Sequence, residues 1–92
     1  MSVRVKFLGN LKDLIDGGET SVSSDNVREM LEDLTNYNPQ LSNKIFEGPE
    51  NKELKGNLNL YVNGRRIDSI RGLDTELKDG DKVVFFPPVG GG

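Results

Sequence analysis

Leu77-Lys78-Asp79-Gly80-Asp81-Lys82-Val83-Val84-Phe85-Phe86-Pro87-Pro88-Val89-Gly90-Gly91-Gly92 holds a turn, a strand and a stop, in that order. Asp79-Gly80-Asp81 is turn chemistry, with short carboxylate acceptors around a residue that accepts positive φ. Lys82 to Phe86 is β-branched and aromatic, as strands are. Pro87 halts the strand because proline donates no ladder hydrogen bond. Pro87-Pro88 then forms a stiff, extended stub. Val89 to Gly92 reaches roughly 13 Å when extended, and its glycines carry no β-carbon to block a close approach. Residues 1–88 therefore read as one domain and residues 89–92 as a flexible glycine tail. Such a tail suits entry into another protein's active site, where its one reactive group would be the carboxylate of Gly92. A frayed terminus is the plain alternative.

The last strand needs neighbours. Val3, Val5 and Phe7 alternate with Arg4 and Lys6, which predicts a half-buried opening strand. Asn10 is a candidate cap for a short helix carrying Leu11, Leu14 and Ile15, stopped by Gly17-Gly18. Glu19 to Ser23 reads as an edge strand. Asn26, with Glu29 three residues later, signals the start of a helix. Val27, Met30, Leu31 and Leu34 follow at i, i+3, i+4, i+7, one amphipathic stripe. Pro39 starts a further short turn of helix with Leu41, Ile45 and Phe46 facing inward. Glu47 to Asn57 reads as a mobile surface loop. Leu58, Leu60 and Val62 form a third strand, Asn63-Gly64 a hairpin turn, and Arg65 to Asp68 the return strand. The expected class is α+β: a mixed sheet of about five strands, one main helix on one face and short additional helices.

Composition narrows the chemistry. The 92 residues include no His, Cys, Trp or Ala. Thiolate nucleophiles, imidazole bases and the usual transition-metal ligands are all missing. The carboxylates are scattered among polar neighbours, with nothing to raise a pKa for acid catalysis. Asp79-Gly80-Asp81 is not a calcium loop, since a strand follows it directly. No metal site is expected, and no cofactor bound by this chain. A net charge of −3 argues against nucleic acid as a partner. No apolar run approaches membrane-spanning length, and Met1 to Val5 lacks the pattern of a signal peptide. The expectation is a cytoplasmic protein, a monomer when free.

Strand parity points to a surface. If Val83 and Phe85 face inward, Val84 and Phe86 face outward, and Leu8 leaves the sheet opposite Phe7. Tyr61 also lies opposite the Leu58, Leu60, Val62 face. Ile67 is expected to join Leu8, Val84 and Phe86 in an exposed apolar cluster near the tail, and such clusters mark partner surfaces. The alternative is that these residues pack under the long loop.

The stretch from Leu73 to Gly92 resembles the end of the small subunit of molybdopterin synthase, the MoaD type of ubiquitin-like sulfur carrier (MoaD/ThiS). That family closes with a leucine, an Asp-Gly-Asp-type turn, an apolar strand, Pro-Pro-Val, one small residue and Gly-Gly. The opening strand and short helix from Val3 to Ile15, and Val62-Asn63-Gly64, fit as well. The resemblance implies a β-grasp fold. It implies that a ubiquitin-activating-type partner uses ATP to adenylate the Gly92 carboxylate, and that sulfur then replaces an oxygen to give a thiocarboxylate. The tail would enter the molybdopterin synthase large subunit and donate sulfur there. Gly91 and Gly92 correspond to the family's terminal pair. Leu8, Ile67 and Phe86 correspond to its partner-facing apolar residues, with Pro87, Pro88, Val89 and Gly90 leading to the terminus.

This chain departs from the pattern at Gly90, where Ala or Ser is usual. Its long loop is typical of looser, often archaeal, relatives. Some of those carry sulfur for transfer-RNA thiolation, or are joined through the terminal glycine to lysines of other proteins. Both fates, and a plain binding module with an inert tail, remain alternatives to the molybdopterin route.

Overall fold

The computed structural model describes residues 2–46, 54 and 58–86, without the side chains of residues 10 and 14. Within them, β1 (Val3–Phe7) leads through 3-10 turns at Gly9–Leu14 and Asp16–Gly18 to β2 (Glu19–Val22). Helices α1 (Val27–Tyr37) and α2 (Gln40–Ile45) follow. Then come β3 (Asn59–Val62), β4 (Arg65–Arg66), 3-10 turns at Ile67–Ser69 and Gly72–Asp74, and β5 (Lys82–Phe86). The sheet order is β2-β1-β5-β3-β4. The last strand lies in the middle, parallel to β1 and antiparallel to β3. This mixed sheet with one main helix across it is the β-grasp architecture.

Helix α1 forms where the sequence signals it. The Asn26 side chain accepts a hydrogen bond from the Glu29 N–H at 2.8 Å, satisfying one of the first-turn donors that no helical carbonyl reaches. Val27, Met30, Leu31 and Leu34 are buried along one stripe. They join Val3, Val5, Phe7, Leu60, Val62, Val83 and Phe85 in one core. Phe7 and Phe85, paired across β1 and β5, stack with ring centroids 4.6 Å apart. Leu41, Ile45 and Phe46 close one side of this core from α2, and Leu11 and Ile15 contribute from the loop after β1.

The turns are built as their chemistry requires. Asn63 and Gly64 take φ of 51° and 84°, the left-handed pair of a tight hairpin. The Asn63 side chain accepts from the Lys82 N–H at 3.0 Å and donates to the Asp81 carboxylate at 2.9 Å. The Asp81 carboxylate also accepts from the Lys78 N–H, and the Asp79 carboxylate accepts from the Ser2 N–H. The Asp-Gly-Asp carboxylates thus hold a turn and pin the start of β5.

Three expectations are corrected. The expected short helix after β1 is a 3-10 run, Gly9–Leu14, and Leu8 rather than Asn10 stands at its N-cap position. The return strand ends at Arg66, not Asp68. Ile67 starts a 3-10 turn and is buried, at 4% exposure, so it is not part of an exposed cluster. The hairpin register explains this. A two-residue turn sets Arg65 opposite Val62 and Arg66 opposite Tyr61, so the next residue falls on the core side. The expected loop at residues 47–57 lies outside the described residues apart from Leu54, which bridges to Phe46. The tail at residues 89–92 lies outside them too.

Candidate functional site: the open face of the sheet

The sheet has a second face that no helix covers among the described residues. Alternation places Arg4 and Lys6 from β1, Lys82, Val84 and Phe86 from β5, Asn59 and Tyr61 from β3 and Arg66 from β4 on this side. Its middle is apolar. Val84 lies between Lys6 and Tyr61 in register and is half-buried. Phe86 is 38% exposed, and its ring meets Tyr61 edge to face with centroids 5.0 Å apart. That geometry suits the opposite charges of a ring's edge and face. Leu8, half-buried, continues β1 in extended conformation, and its N–H donates to the Phe85 carbonyl at 3.1 Å.

The border is basic. Arg4, Lys82 and Arg66 are exposed and Lys6 is half-buried. Arg66 is held over the face by Asn59, which accepts at 3.2 Å, and Asp68, which accepts at 3.3 Å. A chain of net charge −3 thus presents an apolar patch with a cationic rim. Such a surface can dock a partner through desolvated aromatic contacts, with charge setting orientation.

The structure therefore brings Leu8, Val84 and Phe86 to one face and removes Ile67 from it. Tyr61 joins through its ring contact with Phe86, which parity hinted at. Arg66 carries no sequence signal that marks it for this face, because an Arg65-Arg66 pair on a hairpin looks like an ordinary solvated turn. Pro87, Pro88, Val89, Gly90, Gly91 and Gly92 lie outside the described residues. They follow Phe86, the last residue of the central strand, so they connect directly to the patch. Among the described residues, no group of three or more acidic side chains could hold a metal ion. No helix among them is long and apolar enough to cross a membrane.

The ThiS family pattern matches residues 5–92. The chain belongs to the ThiS family. This bears out the resemblance to MoaD/ThiS sulfur carriers that the terminal stretch suggested. This ThiS-family chain is 37% identical to the small archaeal modifier protein 1 of Methanosarcina acetivorans. That solution structure covers 99% of this chain and 96% of its own, with a TM-score of 0.89. It is 32% identical to the sulfur carrier protein CysO of Mycobacterium tuberculosis, over 83% of this chain and 84% of that protein. A Pyrococcus furiosus protein named "putative molybdopterin converting factor, subunit 1" is 28% identical, covering 96% of this chain and 98% of its own, with a TM-score of 0.73. The ThiS-family fold is thus shared by proteins named as modifiers and as sulfur carriers. This chain is a ubiquitin-like protein of that carrier and modifier group.

Proposed function

We propose that this protein is a sulfur carrier whose Gly92 carboxylate is adenylated and then converted to a thiocarboxylate. The carrying observation is the open face: an aromatic patch with a basic rim, at the end of the strand that leads into Pro87-Pro88-Val89-Gly90-Gly91-Gly92. The activating partner supplies ATP. The carboxylate oxygen attacks the α-phosphate, pyrophosphate leaves, and a sulfide-level sulfur donor displaces AMP. The new C–S bond replaces a C–O bond, with no net change in oxidation state at carbon. The activating site must exclude water around the adenylate, and a glycine terminus lets that site be narrow. The catalytic groups belong to the partner, and this chain holds no cofactor.

The favoured destination is molybdopterin synthesis in the cytoplasm, with the chain as small subunit beside a molybdopterin synthase large subunit. The Pro-Pro-Val and Gly-Gly ending and the likeness to the Pyrococcus furiosus protein support it. The greater likeness to a small archaeal modifier favours a second reading, conjugation of Gly92 to lysines through the same adenylate. Transfer-RNA thiolation would use the thiocarboxylate in another transfer.

The test is the tail. Deleting Gly92 withdraws the carboxylate by about 3.5 Å, and adding one residue converts the native carboxyl to an amide. Displacements of about 1 Å can cost roughly 100-fold in rate. Both variants should fold and dock, yet fail in ATP–pyrophosphate exchange with the activating enzyme. Full exchange by an extended tail that mass spectrometry shows to be untrimmed would refute the mechanism. Intact mass from native cells then separates the destinations: sulfur-for-oxygen exchange marks a carrier, and ladders of conjugates mark a modifier.

A further inference from the structure

A second surface lies on the other side of the molecule, where β2 forms an edge of the sheet next to α1. The backbone pattern shows which groups point outward. The Arg4 N–H donates to the Asp81 carbonyl and the Leu8 N–H to the Phe85 carbonyl, so the even residues of β1 bond toward β5. Val3 and Val5 must then bond toward β2, where they meet Val22 and Thr20. The N–H and C=O of Ser21, between those two, consequently point away from the sheet. Among the described residues, the order β2-β1-β5-β3-β4 leaves no strand there to receive them.

This edge borders a hollow. Thr20, Ser21 and Val22 form one wall and Asp33, Leu34 and Tyr37 the other, around a volume of about 320 Å³. Tyr37 is 79% exposed, the most exposed large apolar side chain among the described residues. Val22 and Thr20 are half-buried on the α1 side. The Asp33 carboxylate is held in place by the Ser24 hydroxyl, which donates to it at 2.6 Å from a fully buried residue. Glu29 lies one turn earlier on the same side of α1, so the helix wall of the hollow is acidic. The basic residues of β1 project from the opposite face, Arg4 beside Ser21 and Lys6 beside Glu19, whose side chains share that face.

We infer that this hollow binds an extended, lysine-flanked apolar segment of a partner protein, added as a strand to the β2 edge. Three features converge on that occupant. Outward main-chain groups recognise an extended backbone whatever its side chains. A hollow between a strand and a helix, with an exposed tyrosine at its rim, receives one alternating apolar side chain. Asp33 in the helix wall, with Glu29 one turn earlier, selects cationic flanks. The four residues of β2 accommodate a segment of roughly 13 Å. The surface is separate from the Leu8–Phe86 patch, so a protein docked through its open face could hold such a segment simultaneously.

The probe is acetyl-Lys-Val-Ile-Val-Lys-amide, titrated to millimolar concentration into the full-length, isotope-labelled protein. Amide signals of Thr20 to Val22 and of the Leu34–Tyr37 turn should move, and the Ser21 amide should gain protection from exchange. Ser21→Pro removes the outward N–H without touching a bond to β1, and should lower affinity at least about tenfold. Tyr37→Ala and a glutamate-flanked probe should each weaken binding about three- to tenfold. N-methylation of the probe's central residue should abolish binding to the unaltered protein, which guards against a misfolded proline variant. Phe86→Arg should leave probe affinity unchanged. No shifts at millimolar probe, equal binding of the N-methylated probe, or shifts centred on the Leu8–Phe86 face would each overturn the inference. So would β2 shifts that track protein concentration alone, since the occupant would then be a second copy.

Discussion

Phe85 and Phe86 are consecutive residues of the same type on the same strand, and they do opposite work. Phe85 is fully buried and stacks on Phe7 beneath α1. Phe86 is 38% exposed on the other face, its ring edge to face with that of Tyr61. The two faces of the sheet differ in the same way along their length. One collects Val3, Val5, Leu60 and Val83 under a helix, and the other sets Val84 and Phe86 on the same side as Arg4, Lys6, Arg66 and Lys82. Hydrophobicity alone therefore does not separate core from contact surface in this molecule. The pleat does, because successive side chains alternate across the sheet and, among the described residues, only one face has a helix to bury it.

The sharpest way to break this comparison is to truncate both phenylalanines. Phe85→Ala leaves a cavity under α1 and should cost about 3–5 kcal/mol by chemical denaturation, as buried Phe-to-Ala changes do. An unchanged midpoint would mean that the buried face is wrongly assigned. Removing the cap on the helix that covers this face is a smaller perturbation. Asn26→Ala should cost about 1 kcal/mol, because the Glu29 N–H loses its side-chain acceptor. The smallest stability effect belongs to the open face. Phe86→Ala should shift stability by less than about 1 kcal/mol, since only the partial contact with Tyr61 is lost. The same variant should nevertheless weaken binding to the activating partner, measured by calorimetry. A Phe86 variant that unfolds would invert the assignment of faces, and one that binds normally would remove the patch from recognition.

The error over Ile67 shows where strand reading from sequence fails. Its hydrophobicity and nearness to the tail suggested the open face, yet the two-residue turn at Asn63-Gly64 had already set the parity. Counting from that turn, residue 67 must fall on the core side. That signal was present in the sequence. The 3-10 geometry after β1 was not, because the spacing of Leu11, Leu14 and Ile15 is compatible with either helix type. The basic rim was legible only in part: Arg4 and Lys6 showed their parity, whereas Arg66 acquires its place through Asn59 and Asp68.

By itself the sequence determined the elements and their chemistry. The alternation in Val3–Phe7 and Lys82–Phe86, the Asn26 cap, the Asn63-Gly64 turn and the apolar stripe of α1 are local patterns, and local sterics and hydrogen bonding suffice to read them. The absence of His and Cys likewise bounded the chemistry without any coordinates. Only the tertiary structure decided the neighbours. It set the last strand between β1 and β3, so that Phe86, the residue before Pro87, lies on the open face with Tyr61 and Leu8. It also left β2 at an edge, with the backbone of Ser21 facing outward beside α1. Strand order is a competition among long-range pairings, resolved by which arrangement buries the most apolar surface beneath one helix. No window of adjacent residues contains that information.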